Sequence, residues 1–195
     1  MSRSEGDYLA DYLAHAPAAL SLLRAIECRK LAALRFEHPI LDVGCGDGLF
    51  GQVFFGQDQG VDVGLDYSAK ELRTAAQRGP YRSLMRGDVA RLPFADGSFA
   101  TVFSNGVLEH VHDLRGGLQE IARVLRPEGR LIFTVPTMED ELELSGAALL
   151  RKLGLRSLAQ RYADAYNRAF AQINVFPLET WRQMLMDSGL TLVSG

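Results

Sequence analysis

Residues 41–48 read Leu-Asp-Val-Gly-Cys-Gly-Asp-Gly, and no other stretch restricts the fold so tightly. Pro39 to Val43 is a short apolar run with strand character, and Leu49 to Gln57 reads as a brief helix, so glycines join a strand directly to a helix. Such a junction opens a right-handed crossover that returns the chain to a parallel neighbouring strand. It also aims backbone N–H groups and a helix N-terminus at whatever binds beyond the strand end.

The same strand, turn and helix rhythm recurs downstream. Val61 to Leu65 has strand character and ends in Asp66, after which Ser68 and Glu71 form a capping box for a helix through Gln77. Ser83 to Met85 is a weak strand before Gly87-Asp88, and Phe99 to Phe103 a stronger one before Ser104-Asn105-Gly106. Leu118, Ile121, Ala122 and Leu125 share one helical face, Pro127-Glu128-Gly129 stops that helix, and Arg130 to Val135 follows as a strand. Five strands alternating with helices predict an α/β fold: a doubly wound, mostly parallel sheet with helices on both faces.

The ends depart from this rhythm. Residues 1–36 have helical spacing, with Pro17 at a first turn and Leu20, Leu23, Ile26 and Leu31 as the apolar stripe. Residues 37–136 form the core. Residues 137–177 lack strand character and read as a helical lid, with one helix capped by Thr137 and Asp140 and ended by Gly154. A second starts near Ser157 and carries Leu158, Tyr162, Ala165, Ala169 and Ile173 on one face. In residues 178–195 a last helix ends at Gly189 and Leu190 to Val193 starts a sixth strand. The 195 residues, 47% of them hydrophobic, amount to one domain.

Two cofactor chemistries compete for the loop. Gly46, Gly48 and Gly51 satisfy G-x-G-x-x-G, and Asp66 lies about twenty residues further on, the formal fingerprint of dinucleotide binding. Asp42 argues against it, because a fixed carboxylate beside a pyrophosphate repels it and suits an ammonium or sulfonium instead. Asp88 supplies another carboxylate at the same sheet edge, where an exocyclic amine could donate, and one domain leaves little room for a separate substrate domain. A cationic nucleoside fits better.

Charge and composition narrow the partners. A net charge of −3 with no basic stretch disfavours nucleic acid, and no uncharged apolar run reaches membrane-spanning length. The acidic opening stretch, with Glu5, Asp7 and Asp11, is unlike a secretory signal. Cys28 and Cys45 are far apart without a CxxC, so neither a disulfide framework nor a metal site is expected, and the chain reads as cytoplasmic. Nothing calls for a homo-oligomer.

The run from Ile40 to Pro136 resembles a class I S-adenosylmethionine-dependent methyltransferase of the type 11, small-molecule branch that includes quinone-biosynthesis enzymes. The resemblance rests on the glycine loop, on Asp66, on Gly87 to Phe99 and on Ser104 to Val111, four motifs in order over about half the chain. It implies a Rossmann-like fold, S-adenosylmethionine as cofactor and a small-molecule acceptor. On this reading Asp42 lies near the methionine amino group, and Gly44, Cys45, Gly46 and Gly48 give close backbone approach to the methionine tail. Asp66 accepts from both ribose hydroxyls, Asp88 takes the adenine amine, and Tyr67 and Val89 sandwich the ring. Asn105, Gly106 and Val107 line the floor near the sulfonium. Tyr8 or Tyr12 is expected to close over the cofactor, and Tyr162, Tyr166 and Phe170 either line the acceptor pocket or pack the lid.

His110 is the first choice for a general base and a lid tyrosine the second, should the acceptor need one. Its neighbour His112 is badly spaced for a shared metal on a helix, so no metal is expected. Two features depart from the branch. Ala100 follows Phe99 where an acid is usual, and the expected seventh strand has no residues, which suggests a shortened chain. The competing functions are a nicotinamide-dependent oxidoreductase and a non-catalytic cofactor-binding module.

Overall fold

The computed structural model describes residues 8–137, 150–169 and 173–193. Five strands form one sheet in the order β3-β2-β1-β4-β5, every neighbouring pair parallel. They are β1 Ile40–Val43, β2 Val61–Asp66, β3 Tyr81–Arg86, β4 Phe99–Asn105 and β5 Leu125–Thr134. Among the described residues the helices include α1 Tyr8–Leu13, α2 Ala18–Leu31, α3 Leu49–Phe54, α4 Gly56–Gln59, α5 Ala69–Arg78, α6 Leu114–Val124, α7 Arg156–Ala169 and α8 Leu178–Asp187. The α/β, doubly wound architecture expected from the alternation is present.

Strand order reverses between β1 and β4, which are neighbours in space and far apart in the chain. In open parallel sheets ligands bind outside the carboxyl ends of the strands at such a switch point. All four β1 residues are buried, because helices cover both faces. Leu41 and Val43 face an aliphatic layer with α6 and α8, whereas Ile40 faces an aromatic one built on Phe54, Phe55 and Phe103. Phe36 stands among those three rings at centroid distances of 5.2–5.7 Å.

Local chemistry sets several boundaries where the residues suggest. The Ser68 hydroxyl accepts from the Glu71 amide at 3.3 Å and opens α5, as the capping box predicts. Asp113 does the same for α6, accepting from the Gly116 amide at 3.0 Å. Gly189, with φ of 82°, ends α8. Strand β5 starts earlier than Pro127 would suggest, pairing Leu125 with Phe99 before its register shifts ahead of Thr101. Ala100 occupies that irregularity, 3% exposed, with its amide bonded to the Pro39 carbonyl at 3.0 Å. An acid there would be buried next to apolar strands, which accounts for alanine at this position.

Three expectations fail. Leu20, Leu23 and Ile26 are exposed; of the expected stripe Leu31 is buried, and beside it α2 buries Ser21, Ala25 and Cys28. Small residues let the helix approach closely, and the Ser21 hydroxyl is satisfied by the Ala16 and Pro17 carbonyls. Leu190 to Val193 forms no strand, because the Leu190 amide closes α8 onto the Leu185 carbonyl at 2.9 Å, while Leu190 and Leu192 pack on the aliphatic layer. On the lid, Leu158 and Ile173 are exposed whereas Ala159 is buried. Asp140, Phe170 and the side chains of Tyr162 and Tyr166 lie outside the described residues.

Candidate functional site

A cavity of about 430 Å³ opens at the switch point, a volume typical of small-molecule sites. Its walls come from the ends of four consecutive strands: Val43 and Gly44 after β1, Leu65 to Tyr67 after β2, Gly87 to Ala90 after β3, and Val107 with His110 to Asp113 after β4. A larger space of about 790 Å³ runs along the outer edge of β5, between residues 125–133 and 189–193. No strand carboxyl ends ring it, so the smaller cavity is the better site.

Of the residues expected to hold a cofactor, Gly44, Asp66, Tyr67, Asp88, Val89 and Val107 line this cavity, as does His110. Tyr67 is 79% exposed and Val89 is buried, and both side chains line the cavity. Asp88 is exposed, its carboxylate bonded to the Ala90 amide at 3.0 Å. Sequence reasoning missed Val43, Leu65, Gly87, Ala90, Val111, His112 and Asp113. The recognisable signal for the last was Asp113 standing three residues before Gly116 at the head of an apolar helix.

The glycine loop is held by the protein itself. The Gly44 and Cys45 amides both donate to the Leu65 carbonyl, at 2.7 and 3.1 Å, the Gly46 amide to Asp66 Oδ2 at 2.9 Å, and the Gly48 amide to the Cys45 carbonyl at 3.1 Å. A pyrophosphate needs free N–H groups, and four of the loop's donors are engaged, contrary to the expectation that they face a ligand. Gly51, third glycine of the formal fingerprint, has another reason to lack a side chain: a Cβ there would stand 2.3 Å from the Tyr81 hydroxyl. The last glycine of the dinucleotide pattern is therefore explained by packing.

The other glycines divide similarly. Gly44 sits at φ of 75° with a virtual Cβ 2.4 Å from Val107, so the loop presses on the segment after β4. Gly48 abuts Ala75 of α5, whereas nothing lies within 4 Å of a Cβ on Gly46. Open space at Gly46 is what close approach of a ligand requires. Cys45 is buried next to Asp42 and Asp66, which raises its thiol's pKa and leaves it an unreactive filler.

Two carboxylates end adjacent strands. Asp66, 6% exposed, accepts the Gly46 amide on Oδ2 and the Ser68 amide on Oδ1, the latter at 2.8 Å. Each oxygen retains a lone pair for a further donor. Asp42, 4% exposed, accepts the Tyr81 hydroxyl on Oδ2 at 2.7 Å, and burial pushes its pKa up to about 7. Its carboxylate makes no other hydrogen bond among the described residues.

Several expected site residues turn elsewhere. Asn105 donates to Glu27 at 3.3 Å and accepts from the Thr134 hydroxyl, so it braces α2 and does not line the cavity. Gly106 is covered by Arg24, whose Nη2 would be 3.3 Å from its Cβ. Tyr8 and Tyr12 are buried behind the loop against Phe54 and Phe50, with ring centroids 6.5 Å apart in each pair, so neither closes over the cavity. Glu109 is buried with Oε2 unpartnered among the described residues, and burial holds its carboxyl above the usual range. Its backbone carbonyl accepts from the amides of Ile173 and Asn174, both at 2.9 Å, while the Asn174 side chain donates to the Leu108 and Val111 carbonyls.

Comparison with known proteins assigns this architecture. Residues 41–133 match the model of a methyltransferase domain. The demethylmenaquinone methyltransferase of Renibacterium salmoninarum is 30% identical over 161 residues, covering 80% of this chain and 67% of the relative. The malonyl-[acyl-carrier protein] O-methyltransferase of Erwinia billingiae is 34% identical over 130 residues, covering 67% and 51%. A solved S-adenosylmethionine-dependent methyltransferase from Thermotoga maritima shares the fold, with a TM-score of 0.65 at 18% identity over 93% of this chain and 79% of its own. The chain belongs to the methyltransferase-domain family, and that membership implies S-adenosylmethionine as the cofactor. It spans roughly half to two thirds of the curated relatives. Among the described residues no helix is long and apolar enough to cross a membrane, and no group of three His, Cys, Asp or Glu side chains could hold a metal.

Proposed function

We propose that this domain transfers a methyl group from S-adenosylmethionine to a small organic acceptor. The observation that carries the reading is the cavity at the switch point, walled by Asp66 and Asp88 on one side and by Val107 and His110 on the other. Carboxylates suit the hydroxyl and amine donors of a nucleoside, and the engaged loop amides give a pyrophosphate no cradle.

The cofactor supplies an activated methyl on a sulfonium, and the chain's share is binding, alignment and exclusion of water, effects worth up to about 7–11 kcal/mol in well-oriented systems. Asp66 holds the ribose, Asp88 the adenine amine, Tyr67 and Val89 the ring faces, and Asp42 the amino group through the oxygen left free by Tyr81. Gly44, Cys45 and Gly46 admit the methionine tail. His110, on the cavity wall, takes the proton of an acceptor that carries one. A net charge of −3 without a basic footprint supports a small acceptor over nucleic acid, and two distant cysteines fit a thiol-reducing, cytoplasmic setting.

Thermal melts with S-adenosylhomocysteine and with NAD test the cofactor, since a ligand of the native state raises the melting temperature. We expect a shift with the first alone, and a shift with NAD alone would overturn the assignment. A screen of small acceptors for S-adenosylhomocysteine formation then tests the transfer. With an acceptor in hand, His110→Ala is expected to lower the rate at saturating substrate by about 10²-fold or more, and an unchanged rate would remove His110 from catalysis.

A further inference from the structure

Tyr81 stands at the start of β3, and its side chain reaches across the neighbouring strand to β1. Two glycines make that reach possible. A Cβ on Gly64 of β2 would lie 2.7 Å from Tyr81 Cδ1, and a Cβ on Gly51 of α3 would lie 2.3 Å from its hydroxyl. With both absent the phenol runs beneath the glycine loop and delivers its proton to Asp42 Oδ2 at 2.7 Å. Any larger residue at either glycine would displace the ring.

We infer that Tyr81 is a positioning residue for the cofactor: its hydroxyl fixes Asp42 through Oδ2 and leaves Oδ1 to receive a ligand's ammonium group. The inference rests on the methyltransferase reading and adds to it a residue outside the cavity. A carboxylate this deeply buried resists ionisation, and a donated phenol hydrogen bond favours its charged form. The other groups around it do not help. Asp66 from β2 opposes ionisation of Asp42, Cys45 is a neutral thiol within the same loop, and Asp47 is paired with Arg78 of α5 at 3.2 Å. Tyr81 therefore stands alone among these neighbours in supporting the charged carboxylate, and its own proton is held firmly because burial and Asp42 both disfavour a phenolate.

The test compares two ligands that differ at one end. S-adenosylhomocysteine carries the amino-acid tail, whereas 5′-methylthioadenosine has the nucleoside and no ammonium. Tyr81→Phe keeps the ring between the two glycines and removes only the hydroxyl, so the fold is retained. Calorimetric titration between pH 6 and 8 is expected to show wild-type affinity for S-adenosylhomocysteine rising with pH as Asp42 ionises. In Tyr81→Phe that rise is displaced upward, leaving the affinity at pH 7 about five- to tenfold weaker, the effect of one lost hydrogen bond to a charged group. Affinity for 5′-methylthioadenosine is expected to match wild type at every pH. Equal losses for both ligands would show a merely structural tyrosine and overturn the inference, as would no loss for either. Failure of the wild-type protein to bind either nucleoside would instead overturn the methyltransferase reading itself.

Discussion

Asp42 and Asp66 sit at the ends of neighbouring strands and are buried almost equally, yet the chain treats them in opposite ways. Asp66 is held by two backbone amides, Ser68 two residues on and Gly46 in the loop after β1, so main chain alone fixes its place. Asp42 is held by one side chain from two strands away, through space cleared by two glycines. The first carboxylate ties the glycine loop to the head of α5 and is part of the loop's architecture. The second carries little of the fold and is available to respond to a ligand's charge.

The sharpest way to break that contrast is Asp66→Ala. It strips acceptors from the Gly46 and Ser68 amides together, and we expect a loss of about 2–4 kcal/mol in urea denaturation, with binding of S-adenosylhomocysteine falling below detection. A loss under half a kilocalorie would show that Asp66 serves the ligand alone. Gly51→Ala comes next, because its new methyl meets the Tyr81 hydroxyl, and overpacking of this kind costs about 1–3 kcal/mol. Combined with Tyr81→Phe the penalty is expected to shrink, and strict additivity in the double mutant would deny the contact.

The third effect is a pH dependence. With its pKa raised to about 7 by burial, Asp42 in the folded protein keeps its proton where the unfolded chain has lost it. Its contribution to stability is full below the unfolded pKa and falls as pH rises toward 7. Asp42→Asn lacks this slope, so its melting temperature should gain on wild type between pH 5 and pH 7.5, by about 2–4 °C for each kcal/mol recovered. A gap independent of pH would mean that Asp42 ionises as freely as an exposed carboxylate.

Much of this was legible in the residues, for identifiable reasons. Strands β1, β2 and β4, the Ser68 cap and Asp66 announce themselves because their determinants lie within a few positions of one another. The loop's character was legible and its wiring was not: Gly44, Gly46 and Gly48 bend the chain as expected, but the Leu65 carbonyl and Asp66 that engage their neighbours' amides come from the next strand. Tyr81 was missed for the same kind of reason. Its only trace in the sequence is the pair Gly51 and Gly64, and pairing these with a tyrosine requires the register of β2 on β3. The α2 stripe misled because leucines were counted as core when smaller residues were buried.

The clasp of Ile173 and Asn174 on the turn after β4 ties the segment leading into α8 to the cavity wall. Both amides are bonded to the carbonyl of Glu109, the residue before His110, so displacement of that turn must stretch them. Hydrogen–deuterium exchange at these two amides thus becomes a remote gauge of cavity filling, slowing when a ligand braces the turn, with no label placed in the site.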